Sequence, residues 1–419
     1  MTIAAVSAYE VLASGGYPTL EVSVTLDSGE VGKASVPYGA SAGSHEATVL
    51  IDGDKSRWGG QGMLQAAKNV IEQIAPLVIG MDAADQRTLD EAMIKLDGTP
   101  NKATLGGNAI LAVSIATARA TAMALKKPLY QHIIDTFDTG ETLDQLPHPM
   151  VVAIEGGKHA DNTTDLQEYC FLGLEPKSPA ESVRIVLECY HQLKKILKSI
   201  GLSTNVGNEG AFAPSNIASN EAPLKYMMQA IEAAGYTPGK EVGFSIDAAA
   251  NEFYKDNEYY MRVENKTFSS PQMIRYYNYW LENYPIVTVE DLLSEDDWEH
   301  WPVLKKLTDE HHVTLIGDDL TVTNSKRLQK AIDTEAISAI LIKLNQIGTL
   351  TETVDCCMLA RKNNMSTITS HRGGGETNDT AMVDLAVAVG SAYIKVGPTR
   401  GERVAKYNRL IEIERELAQ

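Results

Sequence analysis

In the second half of this 419-residue chain, six apolar, β-rich runs each end in a charged or polar residue: GFSID at Asp247, PIVTVE at Glu290, VTLIGD at Asp318, AILIK at Lys343, TITSH at His371 and AYIK at Lys395. Convergence of the three carboxylates would concentrate negative charge that needs compensation, and a hard divalent cation with oxygen ligands, Mg²⁺ above all, is the natural partner. A single acid at a strand end can equally cap a helix or meet solvent. Three in register argue for metal ligation. Lys343 closes the apolar run AISAILIK. Burial and a neighbouring cation both lower a lysine pKa, which makes it a candidate general base near neutral pH. A structural lysine with a buried stem and a hydrated head is the alternative.

Two further acids, Glu168 in DLQEY and Glu209 in GNEGAFAP, sit in contrasting company. Paired carboxylates in a closed pocket can hold a proton near pH 7 and deliver it to a leaving group, although neither acid signals this alone. His159 in EGGKHA and the His371-Arg372 pair in SHRGGGET add an imidazole and a guanidinium suited to phosphate. The glycines after Arg372 would let backbone N–H groups approach an anion, or would form only a mobile loop.

Such side chains need a scaffold that delivers strand ends to one place. The run ends are separated by 24 to 43 residues, enough each time for a returning helix and a short strand. The series predicts an α/β barrel, whose strand C-termini share one mouth. An open doubly wound sheet is the competing fold, but no Gly-rich phosphate loop follows a strand. Upstream, TLEVSVTLDSGEVGKAS alternates about Asp27-Ser28-Gly29 as a hairpin, and GNAILAVSIATARATAMALK reads as a closely packed helix. These elements form an N-terminal α+β domain, residues 1–133. The barrel takes 134–419, the boundary being set by the turn-rich stretch Thr136 to Pro149.

Composition narrows the functional classes. Lys+Arg 37 against Asp+Glu 55 gives a net charge of −18, which argues against nucleic acid as a partner. With 44% hydrophobic and 22% charged residues the chain is globular. No stretch approaches the length of a membrane span, and the start lacks the pattern of a signal peptide, so a cytoplasmic location is expected. Cys170, Cys189, Cys356 and Cys357 form no CxxC pair and read as packed, reduced thiols.

The segments IGDDLTVTN, IKLNQIGTLTE and SHR…GET, with PTLEV near the start and RVAKYNRLIEIEREL at the end, resemble the enolase family over nearly the whole chain. The resemblance implies phosphopyruvate hydratase activity: reversible, Mg²⁺-dependent dehydration of 2-phosphoglycerate to phosphoenolpyruvate in glycolysis. It also implies a barrel opening with an antiparallel strand pair, and a homodimer or an assembly of dimers. Asp247, Glu290 and Asp318 match the family's metal ligands, and Ser41 a loop serine that helps to hold a second Mg²⁺. Lys343 matches the base, Glu209 the acid and Glu168 its partner carboxylate. His159, Gln167, Arg372, Gly373 and Lys395 match substrate-contacting positions, with Arg372 on the phosphate and Lys395 on the carboxylate.

The chain departs from the family motifs at defined places. DSRGNPT has become ASGGYPT, with Gly15 and Tyr17; SGASTG has become YGASAG, with Tyr38 and Ala42. NGG has become EGG at Glu155, GDEGGF has become GNEGAF at Asn208 and Ala211, and SHRSGE has become SHRGGGE, losing a serine at Gly373 and gaining a glycine. A missing hydroxyl removes a hydrogen bond to phosphate worth about 1.5–3 kcal/mol, which predicts a raised KM. Two other readings stand beside enolase activity: a divergent paralogue acting on a related phosphorylated three-carbon acid, and a non-catalytic binding protein on the same fold.

Overall fold

The computed structural model describes residues 1–39 and 43–418. The N-terminal part is a three-stranded antiparallel sheet, β1 (Ile3–Leu12), β2 (Pro18–Leu26) and β3 (Val31–Ser35), in that order. The expected hairpin is β2–β3, closed by Leu26 N–H donating to Glu30 O at 2.9 Å, with Gly29 at φ +103°. β1 escapes the sequence pattern because it is an edge strand on which only Ile3 is buried. The helix Gly107–Ala124 lies against β2 and β3, nearly all of it buried. Its alanines let it approach closely: a Cβ at Gly32 would fall 2.0 Å from Ala116 O. A glycine facing small residues is thus what seats the helix on the sheet.

The helix Leu129–Phe137 runs across residue 134 and packs on the helix Ala381–Ala388 of the second part. The two parts are also joined by polar pairs. Arg119 grips Asp379 with bonds of 2.5 and 2.7 Å, and Asp90 accepts from the N–H and hydroxyl of Thr351 at 3.0 and 2.6 Å.

The second part is a closed eight-stranded barrel. Its strands are β4 (His148–Glu155), β5 (Glu168–Gly173), β6 (Val242–Asp247), β7 (Ile286–Glu290), β8 (Thr314–Gly317), β9 (Ala339–Ile342), β10 (Ser366–Ser370) and β11 (Tyr393–Val396). β5 is antiparallel to both β4 and β6, and every other neighbouring pair is parallel, including the closing pair β11–β4. The α/β barrel read from the strand-end series is therefore present, and so is the antiparallel start implied by the enolase resemblance. Inside the ring Met150, Val152, Cys170, Leu172, Ile316, Leu341 and Ile368 form a dry plug beneath the mouth. Helices close the outside, several with side-chain caps: Ser178, Asn324 and Thr349 each accept a first-turn N–H. Among the described residues no single helix is long and apolar enough to cross a membrane. All four cysteines are buried and free.

Candidate active site

The C-terminal ends of the barrel strands line a narrow cavity, to which His159, Gln167, Glu168, Glu209, Asp247, Asp318, Lys343, Arg372, Gly373 and Lys395 contribute. Asp247 and Glu290 end β6 and β7, and their registry fixes them side by side. Asp318 and Lys343 follow β8 and β9 directly.

Lys395 of β11 stands where these acids meet. Its Nζ lies 2.8 Å from Asp247 Oδ2, 2.8 Å from both oxygens of Glu290 and 2.9 Å from Glu168 Oε2. Lys343 Nζ lies 2.5 Å from Asp318 Oδ2, and Gln346 donates to Asp318 Oδ1 at 2.8 Å. Four buried carboxyls thus face two ammonium groups, an excess of acids that raises their affinity for a proton or a cation. Burial and then the Asp247 charge push Glu290 far above the carboxylate range, and burial leaves Asp247 raised despite Lys395. A hard divalent cation suits this oxygen donor set and its charge. Among the described residues the acidic group whose ligand atoms lie within 4.8 Å of one another is Asp291, Asp318 and Asp319, so Asp318 of the three expected ligands falls in it and Asp247 and Glu290, drawn to Lys395, do not.

On the other side, Glu209 Oε1 lies 3.1 Å from His371 Nε2 and 3.4 Å from His159 Nδ1, while Glu168 Oε1 lies 3.3 Å from the same Nδ1. Burial lowers the His159 pKa, but Glu209 and Glu168 outweigh it and carry it up to about 9. Burial raises Glu209, yet His371 and His159 hold it below the ordinary range; Glu168 is likewise lowered, by Lys395 and His159 against burial and Glu209. This corrects the expectation that the paired carboxylates themselves keep a proton near pH 7: here the imidazole keeps it. Lys343 is held against a carboxylate. Burial does lower its pKa, but the Asp318 charge prevails and the net shift is upward.

The segment expected to face phosphate differs from expectation too. Arg372 is buried, and its guanidinium bonds Glu46 at 3.1 and 3.2 Å. Gly374 and Gly375 pair with Gly39 and Tyr38, and a Cβ at Gly375 would strike the Tyr38 ring at 2.3 Å. Gly373 is equally crowded, with a Cβ position 2.5 Å from the His159 ring. The glycine run is therefore closely packed, and a side chain at 373 or 375 would meet His159 or Tyr38. Gln167 is buried, and its Oε1 has no hydrogen-bond partner among the described residues, which suits a substrate contact. Ser41 lies outside the described residues.

Asp247, Asp318, Lys343, His371 and Lys395 line one cavity as the strand-end series anticipated, Glu290 lies beneath it on Lys395, and Glu46, Asp291 and Asp319 were missed. Asp291 accepts from the N–H groups of Asp318 at 3.0 Å and Asp319 at 2.7 Å, anchoring that segment. Its only signal was its place beside Glu290. Glu46, in GSHEA, announces nothing until the fold sets it against Arg372.

A closed α/β barrel with a separate N-terminal domain, its mouth crowded with carboxylates, lysines and histidines, has the architecture of a barrel enzyme. Residues 144–419 match the family model of the enolase C-terminal TIM barrel domain, and residues 3–133 match that of the enolase N-terminal domain. The chain belongs to the enolase family.

Proposed function

We propose that the protein is a phosphopyruvate hydratase, interconverting 2-phosphoglycerate and phosphoenolpyruvate in glycolysis with Mg²⁺. The observation that carries this reading is that Lys343 and Glu209 line one cavity from β9 and from the loop joined to β4, three strands apart round an eight-stranded ring. A base and an acid so separated can act on opposite faces of one small substrate.

Asp247, Glu290 and Asp318 would hold the cation, which supplies positive charge to the enolate that forms beside the substrate carboxylate. Lys343 would take the α-proton as its neutral amine, the form that a cation held by Asp318 would favour by offsetting the carboxylate that raises the lysine pKa. Lys395 and Arg372 line the same cavity and would meet the substrate carboxylate and phosphate. The enolate electron pair then re-forms a double bond and expels hydroxide from the neighbouring carbon. Glu209 gives that hydroxide a proton, and water leaves. Glu209 is ionised in the substrate-free site, so it must gain its proton as an anionic substrate adds negative charge beside it and raises its pKa.

The test is the absorbance of phosphoenolpyruvate formed from 2-phosphoglycerate, with Mg²⁺ and with chelator. No product in either condition refutes the reading. The alternative, a lyase for a related phosphorylated three-carbon acid, is favoured by the Tyr38–Gly375 packing beside Arg372. Turnover of such an acid without turnover of 2-phosphoglycerate would establish it.

A further inference from the structure

Glu155 is a buried carboxyl that the catalytic outline leaves unused. It is the last residue of β4. Its N–H donates to Phe212 O at 3.0 Å and Phe212 N–H donates to Ala153 O at 3.0 Å, so the segment after Glu209 joins the end of β4 as a short bridge. The carboxyl then turns into the loop. Oε2 accepts from Glu209 N–H at 3.0 Å, and Oε1 from Ala211 N–H at 2.9 Å. The loop closes tightly round it, since a Cβ at Gly207 would lie 2.5 Å from the Glu155 carboxyl carbon. Polar atoms of Glu155, His159 and Glu209 all lie within 4.8 Å of one another. The enolase-like motifs carry asparagine at 155 and aspartate at 208, whereas here Glu155 is buried and Asn208 is exposed. Relative to those motifs, a carboxyl has moved from the rim of the site to the space behind its acid.

We infer that Glu155 is a positioning residue for the acid side: it fixes the Glu209 loop through that loop's own N–H groups and sets a second carboxyl against the Glu209 side chain. The inference rests on the reading of Glu209 as the acid. The charged and titratable groups facing Glu155 are Glu209 and His159 from loops, Glu168 from β5 and Tyr190 from the helix Pro179–Ser199. Burial, and then the Glu209 charge, pushes Glu155 up to about 8, against its bond from the Glu209 N–H. Below that pH it is a neutral acid. Above it, its charge opposes loss of a proton from Glu209 and from His159.

The decisive comparison is wild type against Glu155→Gln and Glu155→Asn, in the full chain with Mg²⁺. Solvent exchange of the α-proton of 2-phosphoglycerate reports the Lys343 half of the reaction, and phosphoenolpyruvate formation reports both halves. In the variants exchange should stay within about twofold of wild type, while dehydration falls about tenfold or more in kcat with little change in KM. The alkaline limb of dehydration should move to lower pH. Parallel loss of both reactions with an unmoved pH profile would mean that Glu155 only braces the fold, and would overturn the inference. A second readout needs no turnover: with the histidine rings isotope-labelled, the His159 NMR titration midpoint should fall in the variants, and an unchanged midpoint overturns the inference as well. If wild type neither exchanges nor dehydrates 2-phosphoglycerate, the proposed function fails, and the His159 midpoint alone decides the role of Glu155.

Discussion

Replacing Gly373 by alanine tests how firmly the phosphate-side loop is built into the acid side of the site. A Cβ there would lie 2.5 Å from both Cε1 and Nε2 of His159 and 2.7 Å from Glu209 Oε1, whereas ordinary contact begins near 3.4 Å. Something must therefore retreat by about 0.9 Å. The imidazole is held by Glu168 and Glu209 at 3.3 and 3.4 Å, so its retreat breaks the pairing that carries the proton. The loop is no freer. Arg372 N–H donates to Glu376 at 2.8 Å, Ser14 Oγ donates to Gly374 O at 3.0 Å, and the Gly374–Gly375 pair is laddered to Tyr38–Gly39. A displacement near 1 Å in a positioning group costs about a hundredfold in rate, or about 2.7 kcal/mol of transition-state stabilisation. Steady-state assays on 2-phosphoglycerate should therefore show kcat of Gly373→Ala down by about that factor. Gly373→Ser should do no better, because its Cβ meets His159 before its hydroxyl can reach phosphate. Wild-type kcat in the alanine variant, or a lowered KM in the serine variant, would refute this account of the loop.

Lys343→Ala should abolish α-proton exchange, whereas Glu209→Gln should keep exchange and block dehydration; equal loss of both reactions in both variants would remove the assignment of base and acid. Asp90 is buried, and burial raises its pKa to about 6 against the bonds from Thr351, Ser114 and Gln86. Its contribution to stability is thus complete below about pH 4 and lost as pH rises through 6, so wild type minus Asp90→Asn should change by about 3 kcal/mol in urea unfolding between pH 4 and 8. A flat difference would contradict the shift. Arg119→Ala leaves the buried Asp379 carboxylate without the guanidinium that joins the two domains, and denaturant unfolding should show a loss of about 3 kcal/mol. A loss below 1 kcal/mol would mean that Asp379 finds another partner, its N–H contacts from Ser35 and Ala381 being the candidates.

What could be read from the sequence follows from the range over which its patterns act. Alternation and apolar runs are local, so the hairpin about Gly29 and the strand ends at Asp247, Glu290, Asp318, Lys343 and Lys395 were visible, and their spacing implied a barrel. β1 was hidden because an edge strand need not alternate strictly. Circumferential relations are a different matter. Asp247 and Lys395 are 148 residues apart in the chain yet bonded at 2.8 Å, because the ring closes from β11 through β4 and β5 to β6. No local pattern encodes that closure, and so none could tell that Lys395 would neutralise the expected metal ligands or that Asp318 would raise the Lys343 pKa. The same limit explains the glycine run. Read alone, Gly373 looks like a lost hydroxyl and Gly375 like added slack. Set in the fold, one faces His159 from the β4–β5 loop and the other the Tyr38 ring from the N-terminal domain, and each is small because a side chain distant in sequence already fills its space. Departures from the family motifs at 38, 155, 208 and 373–375 thus fall into two packed groups, one around Tyr38 and Arg372 and one around Glu155 and Glu209. His159 touches both. A change on the phosphate side can therefore reach the acid through a single imidazole.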